Sequence, residues 1–203
     1  MGIAGTEVSK EAATLVLADD NFATIVRAVE EGRTIYDNIV KFVRFQLATN
    51  IGAILTVLGA SLAGLATPFT AIQILWVNLI MDGPPAMTLG VEPPRPGLMQ
   101  QTPRPASAAI LSLARLWRLG LYGLTMAVGT LAVYAQSLSV GNSPTQATTL
   151  AFTTFVLFQW FNIFNARSEF ESALNRQFFT NGKLWIALAA IVARWGGRAQ
   201  RQD

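Results

Sequence analysis

The run Trp76-Val77-Asn78-Leu79-Ile80-Met81-Asp82-Gly83-Pro84-Pro85 sets one carboxylate and two consecutive prolines inside an apolar stretch. Asp82 is the only ionisable side chain between Arg44 and Glu92. An ionised Asp at a bilayer centre costs roughly 2.5–3.5 kcal/mol on insertion scales, so a carboxylate kept there marks a functional site by default. Asn78 precedes Asp82 by four residues, a spacing that puts two oxygen-bearing side chains on one face of a helix. Pro84 and Pro85 lack an N–H, so a continuing α-helix would leave the carbonyls of Ile80 and Met81 without partners. A broken helix is therefore expected, with a carboxylate, an amide and freed carbonyls turned toward one place. Those ligands suit a hard cation such as calcium or manganese. Asp-Gly-Pro-Pro also reads as a turn that would end the segment and leave Asp82 in water. Against that, residues 71–81 give only about eleven residues of helix, too short for a hydrocarbon core of roughly 30 Å, whereas continuation to Leu89 reaches about twenty.

Composition bears on the solvent. Of 203 residues, 52% are hydrophobic and 13% charged, and the mean hydropathy is +0.40, so most of the chain reads as membrane-embedded. The formal charge of +3 does not point to nucleic acid, because the basic residues cluster between apolar spans as membrane-flanking charge does. With no Cys and no His, thiolate and imidazole metal chemistry is excluded, and any metal must be held by oxygen. The first forty residues are polar and show no apolar signal-peptide core.

In chain order, residues 1–40 read as a cytosolic piece. Thr6 caps a short helix through Ala13, Thr14–Leu17 reads as a buried strand, and Asp19-Asp20-Asn21 makes a turn that caps the next helix. Phe22, Ile25, Val26, Val29, Ile35 and Ile39 recur at helical spacing, and from Phe42 the pattern is apolar all round. One helix is expected to rise unbroken into the membrane, with Lys41 and Arg44 at its point of entry. The predicted spans are 42–65, 71–89, 116–138 and 147–164, followed by an apolar stretch at 184–193 too short to cross and a basic tail at 194–203. Pro93, Pro94, Pro96, Pro103 and Pro105 stiffen the loop between the second and third spans. Every Lys and Arg falls in 10–44, 95–118 or from 167 onward, which places the N-terminus in the cytosol by the positive-inside rule. The first span carries Gln46, Thr49 and Asn50. Two readings of Asn50 stand, one facing Asp82 and the other an ordinary interhelical hydrogen bond.

Longer stretches carry a family likeness. Gly5-Thr6-Glu7-Val8-Ser9-Lys10-Glu11-Ala12-Ala13, Leu17-Ala18-Asp19-Asp20-Asn21-Phe22 and Val29-Glu30-Glu31-Gly32-Arg33 resemble the end of the phosphorylation domain of P-type cation-pumping ATPases. Residues 73–86, followed by Leu89-Gly90-Val91-Glu92-Pro93-Pro94, resemble the sixth transmembrane helix of calcium pumps, most closely the secretory-pathway calcium/manganese branch. The resemblance implies an all-α membrane bundle of about four spans, the family's fifth to eighth helices, with 184–193 the start of its ninth. It also implies a small N-terminal remnant of a cytosolic α/β domain. Asn78 and Asp82 match sixth-helix cation ligands and Asn50 a fifth-helix ligand. Ala53 and Gln159 stand where a second ion's carboxylates would be, and Met81 replaces a hydroxyl residue, so one ion per cycle is implied.

The family's phosphorylated aspartate, its magnesium-binding segment, its nucleotide domain and its fourth helix are not among these residues. The expectation is thus the C-terminal transport portion of an ATP-driven calcium or manganese pump, an integral multi-pass membrane protein. Its partners would be the bilayer and the pump's N-terminal part, with ATP and magnesium acting only in the full-length enzyme. The alternatives are a non-catalytic subunit that complements a separate N-terminal half, and a non-functional truncated remnant.

Overall fold

A computed structural model describes residues 2–103, 105, 109–167 and 181–199. Its dominant element is α2, Phe22–Leu62, 41 residues without a break and therefore about 60 Å long. Asn21 caps it by accepting from the Ala23 N–H at 3.0 Å. The helix runs from the polar N-terminal piece into the bundle as the periodicity predicts. Phe22, Val26, Val29 and Ile35 of its first half nevertheless stay exposed.

The α/β remnant is not observed. Among the described residues there is no strand; the short α1, Glu7–Ala12, is followed by irregular backbone, and Leu15 and Val16 are 58% and 43% exposed. A lone apolar run has no neighbouring strand to complete a ladder. The segment is tied down elsewhere. Asp20, at φ 48°, takes the amides of Gly2, Ile3 and Ala4 on its carboxylate, and the Gly2 N–H also donates to the Leu17 carbonyl. Lost hydration works against the charged form of Asp20, but the amides of Ala4, Ile3 and Gly2 outweigh it and hold the carboxyl below its usual 3.8. A depressed carboxyl stabilises the folded form above the unfolded value, and the contribution disappears as pH falls through the folded one. The amide resonances of Gly2–Ala4 are accordingly expected to titrate with a midpoint below 3.8. A midpoint at or above that value in an NMR titration would contradict the clamp.

After α2 come α3 (Ala71–Trp76), a π-helical segment (Val77–Asp82) and α4 (Gly83–Gly90), which abut to form one helical run. Thr70 and Gln73 form a reciprocal capping box at its start. Helices α5 (Leu113–Ser139) and α6 (Pro144–Arg167) form an antiparallel pair, and α7 (Gly182–Ala199) packs on α4. The α7 helix takes in the short apolar stretch 184–193 and runs into the basic tail, of which residues 200–203 lie outside the described part.

Three helices among the described residues are individually long and apolar enough to cross a membrane: α2, α5 and α6. Of the four expected spans, the first, third and fourth fall on these helices, whereas the second, 71–89, falls on the interrupted run 71–90, which is not among the three. Close approach of α2 and α5 depends on glycine. A Cβ on Gly123 would lie 2.6 Å from the Ile51 Cγ2 and 3.0 Å from the Gly52 backbone nitrogen.

Candidate cation site

The helix does not break at Asp82, although two prolines follow it. The wider π turn carries it past instead. Pro84 and Pro85 fall in the first turn of α4, directly after the π segment, and neither has an N–H to return to it. The chain accommodates the two prolines by widening into a π turn rather than by unwinding, and such π turns occur often at functional sites.

Two apolar clusters lie on either side of this turn. Toward the α2–α3 connection, Phe69, Val77, Met81, Phe155 and Val156 are buried together, with Ala53 packed against them. Toward the other end, Phe45, Ala86, Leu89, Ile163 and Ala166 form a second cluster. The rings of Phe69 and Phe155, 5.1 Å apart, and of Trp76 and Phe152, 5.7 Å apart, pin the first cluster to α6. Each helix therefore has a short stretch between the clusters. On the run 71–90 it contains Asp82, on α2 it contains Thr49, and on α6 it contains Gln159 and Asn162.

These residues form a buried polar layer. Asp82 and Thr49 are 0% and 1% exposed, Gln159 and Asn162 1% and 4%. Both carboxylate oxygens of Asp82, the Thr49 hydroxyl, both amide atoms of Gln159 and the Asn162 Nδ2 have no hydrogen-bond partner among the described residues. Buried polar atoms are nearly always paired in folded proteins, and a group left unpaired costs roughly 1–3 kcal/mol. Their place on three helices, each between members of the same two apolar clusters, makes them a candidate ligand site.

The other two sequence-derived residues sit beside the layer. Asn78 is exposed and Asn50 half-buried, and both line one small open cavity together with Thr49, Ala53, Gln73 and Phe155. The structure thus brings Asn50 and Asn78 to one cavity, while Asp82 lies buried and outside its lining. Thr49 belongs to both the cavity wall and the polar layer. Among the described residues no three His, Cys, Asp or Glu side chains gather as a metal cluster. A cation here would be held by one carboxylate with amide, hydroxyl and backbone oxygens, which suits a transported hard ion better than a resident metal.

Sequence reasoning missed Asn162. Its signal is the spacing Gln159–Asn162, three residues apart on one helical face inside the otherwise apolar run from Phe155 to Phe164.

Comparison with known proteins gives the family. The family described as cation transporting ATPase, C-terminus, matches residues 66–194, more than half of the chain. The chain belongs to the cation-transporting ATPase family. Calcium-transporting ATPase 1 of Schizosaccharomyces pombe is 43% identical over 188 residues, covering 93% of this chain and 21% of that protein. Calcium-transporting ATPase type 2C member 2 of Mus musculus is 43% identical over 202 residues, 95% of this chain and 21% of its own length. A calcium-transporting ATPase of Bacillus subtilis is 44% identical over 184 residues, 89% and 20%. The chain spans about a fifth of the length of these relatives and corresponds to a C-terminal portion of P-type calcium-transporting ATPases.

Proposed function

We propose that this chain is the C-terminal transport portion of an ATP-driven calcium or manganese pump and supplies oxygen ligands for one transported cation. Asp82, Asn78 and Asn50 are the ligands. The observation that carries the reading is the fully buried Asp82, whose two oxygens have no partner among the described residues at a π turn on an otherwise apolar helical run. In this reading 1–40 is the end of the phosphorylation domain with the stalk of α2, and 41–193 is the transmembrane domain. The run 71–90 crosses the bilayer as the second of four spans, and the N-terminus is cytosolic. The exposed apolar stripe Phe22, Val26 and Val29 faces the pump's own N-terminal part.

The role of α2 follows from its length. A single helix of about 60 Å joins the cytosolic end to the Thr49–Asn50 level with no loop to absorb motion, so displacement at one end reaches the other. ATP and magnesium act on the domains of the full-length pump that precede this segment.

The test puts this chain in place of the matching segment of the S. pombe relative and measures phosphorylation from ATP against calcium and manganese. Asp82→Asn is expected to abolish the cation dependence, while Ala53→Gly, which removes no ligand, leaves it. Wild-type cation dependence in the Asp82→Asn pump would overturn the assignment.

A further inference from the structure

Beyond Asp82 the chain buries a second carboxylate that the ion-site reading does not use. Glu92 is 7% exposed. Its two oxygens are divided between cations from different helices: the Lys41 Nζ of α2 donates to Oε2 at 2.9 Å, and the Arg167 Nε of α6 donates to Oε1. Both cationic side chains are nearly closed to solvent, at 11% and 9% exposure. The backbone is held as well, because the Asn38 Nδ2 donates to the Glu92 carbonyl at 2.7 Å and to the Gly90 carbonyl at 3.3 Å.

A buried ion pair is weak evidence for stability, since desolvation offsets much of the attraction; fixing register is its better-attested use. The three segments joined at Glu92 are the ones that carry the polar layer. Thr49 and Asn50 lie beyond Lys41 on α2, Asp82 lies before Glu92 at the start of α4, and Gln159 and Asn162 lie before Arg167 on α6. Each is about one and a half to three helical turns from the bridge along the chain, and Glu92 itself lies two residues past the end of α4.

We propose that Glu92 is a positioning residue for the cation site, and that the Lys41–Glu92–Arg167 bridge sets the mutual register of the three helices bearing Thr49 and Asn50, Asp82, and Gln159 and Asn162. The proposal rests on the reading of Asp82 as an ion ligand. Glu92 touches no cation; it fixes the spacing of oxygens offered to one.

The chain has no cysteine, so pairs of introduced cysteines carry spin labels without background. In the full chain reconstituted into lipid nanodiscs, labels at the exposed Ile54, Leu79 and Phe161 report the distances among α2, the π segment and α6. Glu92→Gln is expected to shift these distances by about 1–2 Å, the scale of helix sliding at interfaces. It is also expected to weaken Mn2+ binding, followed by the ion's own EPR signal in unlabelled protein, by about 10-fold, as loss of an outer-shell partner does. Lys41→Arg keeps the charge and is expected to leave both readouts as in the wild type. Lys41→Met removes the α2 ion pair, leaving the Asn38 contacts in place, and is expected to move the α2 distances alone, so it keeps the test open should Glu92→Gln fail to fold.

Unchanged distances and Mn2+ affinity in the folded variants, whatever their melting temperatures, would overturn the proposal and leave Glu92 an ion pair for stability only. Asp82→Asn, run in parallel, separates the two claims. Mn2+ binding that survives Asp82→Asn contradicts the ion-site reading and this proposal with it. Binding lost in Asp82→Asn but unaltered in Glu92→Gln overturns the role of Glu92 alone.

Discussion

Asp82→Leu is expected to raise the stability of this chain by about 2 kcal/mol while ending any response to calcium or manganese. The two effects have one cause. Both Asp82 oxygens are buried without a partner among the described residues, and an unpaired buried polar group costs roughly 1–3 kcal/mol. Leucine removes that cost and adds apolar surface between Met81 and Ala86, both already packed in the flanking clusters. A structural Asp behaves in the opposite way: a carboxylate that anchors its neighbours loses stability when replaced. Reversible unfolding of the chain in mild detergent distinguishes the two, and an Asp82→Leu variant less stable than the wild type would contradict the reading of Asp82 as a ligand held in reserve. Such an exchange of stability for function is common at sites that must bind something absent from the fold.

Gly123→Leu is expected to destabilise the chain by about 3 kcal/mol, the upper part of the usual range for overpacking. Even a single Cβ at this position would meet the Ile51 side chain at 2.6 Å and the Gly52 backbone nitrogen at 3.0 Å, and backbone cannot swing aside as the end of a flexible side chain can. Only a separation of α2 from α5 makes room, and that separation displaces the stretch of α2 that carries Thr49 and Asn50. Gly120, on the same helix, has open space where a Cβ would stand, with nothing within 4 Å. Gly120→Leu is therefore the control and is expected to leave stability within about 0.5 kcal/mol of wild type. Equal losses at the two positions would contradict the α2–α5 contact as the cause, since helix propensity favours Leu over Gly at both.

Much of this architecture is legible in the residues. The stripe from Phe22 to Ile39 followed by an all-apolar stretch specifies one long helix, because period and length leave few alternatives for such a run. Asp82 stands out because a single carboxylate in an apolar run is expensive. The π turn is not legible. Two prolines forbid an unperturbed α-helix but do not say whether the chain unwinds or widens. Thr14–Leu17 reads as a strand because its side chains are apolar, yet strand formation needs a neighbour to complete the ladder, and local sequence carries no information about one. Gln159 and Asn162 are obscured for a different reason: amides in apolar helices commonly pair across a bundle, and only burial without partners sets these apart. Lys41 and Arg44 stand in the sequence as boundary charges, whereas both are buried, with Lys41 on Glu92 and Arg44 donating to the Asn165 carbonyl. Charge counts along a sequence give which end is basic, but not which cations have turned inward.

Equilibrium binding of radioactive calcium to the full-length pump carrying this chain tests the central claim most directly, with the number of bound ions counted per phosphorylatable site. The account predicts one ion in the wild type and none in Asp82→Asn, with Asn78→Ala weakened at least about 10-fold, as expected when a direct ligand is lost. One ion bound with unchanged affinity in Asp82→Asn would contradict it.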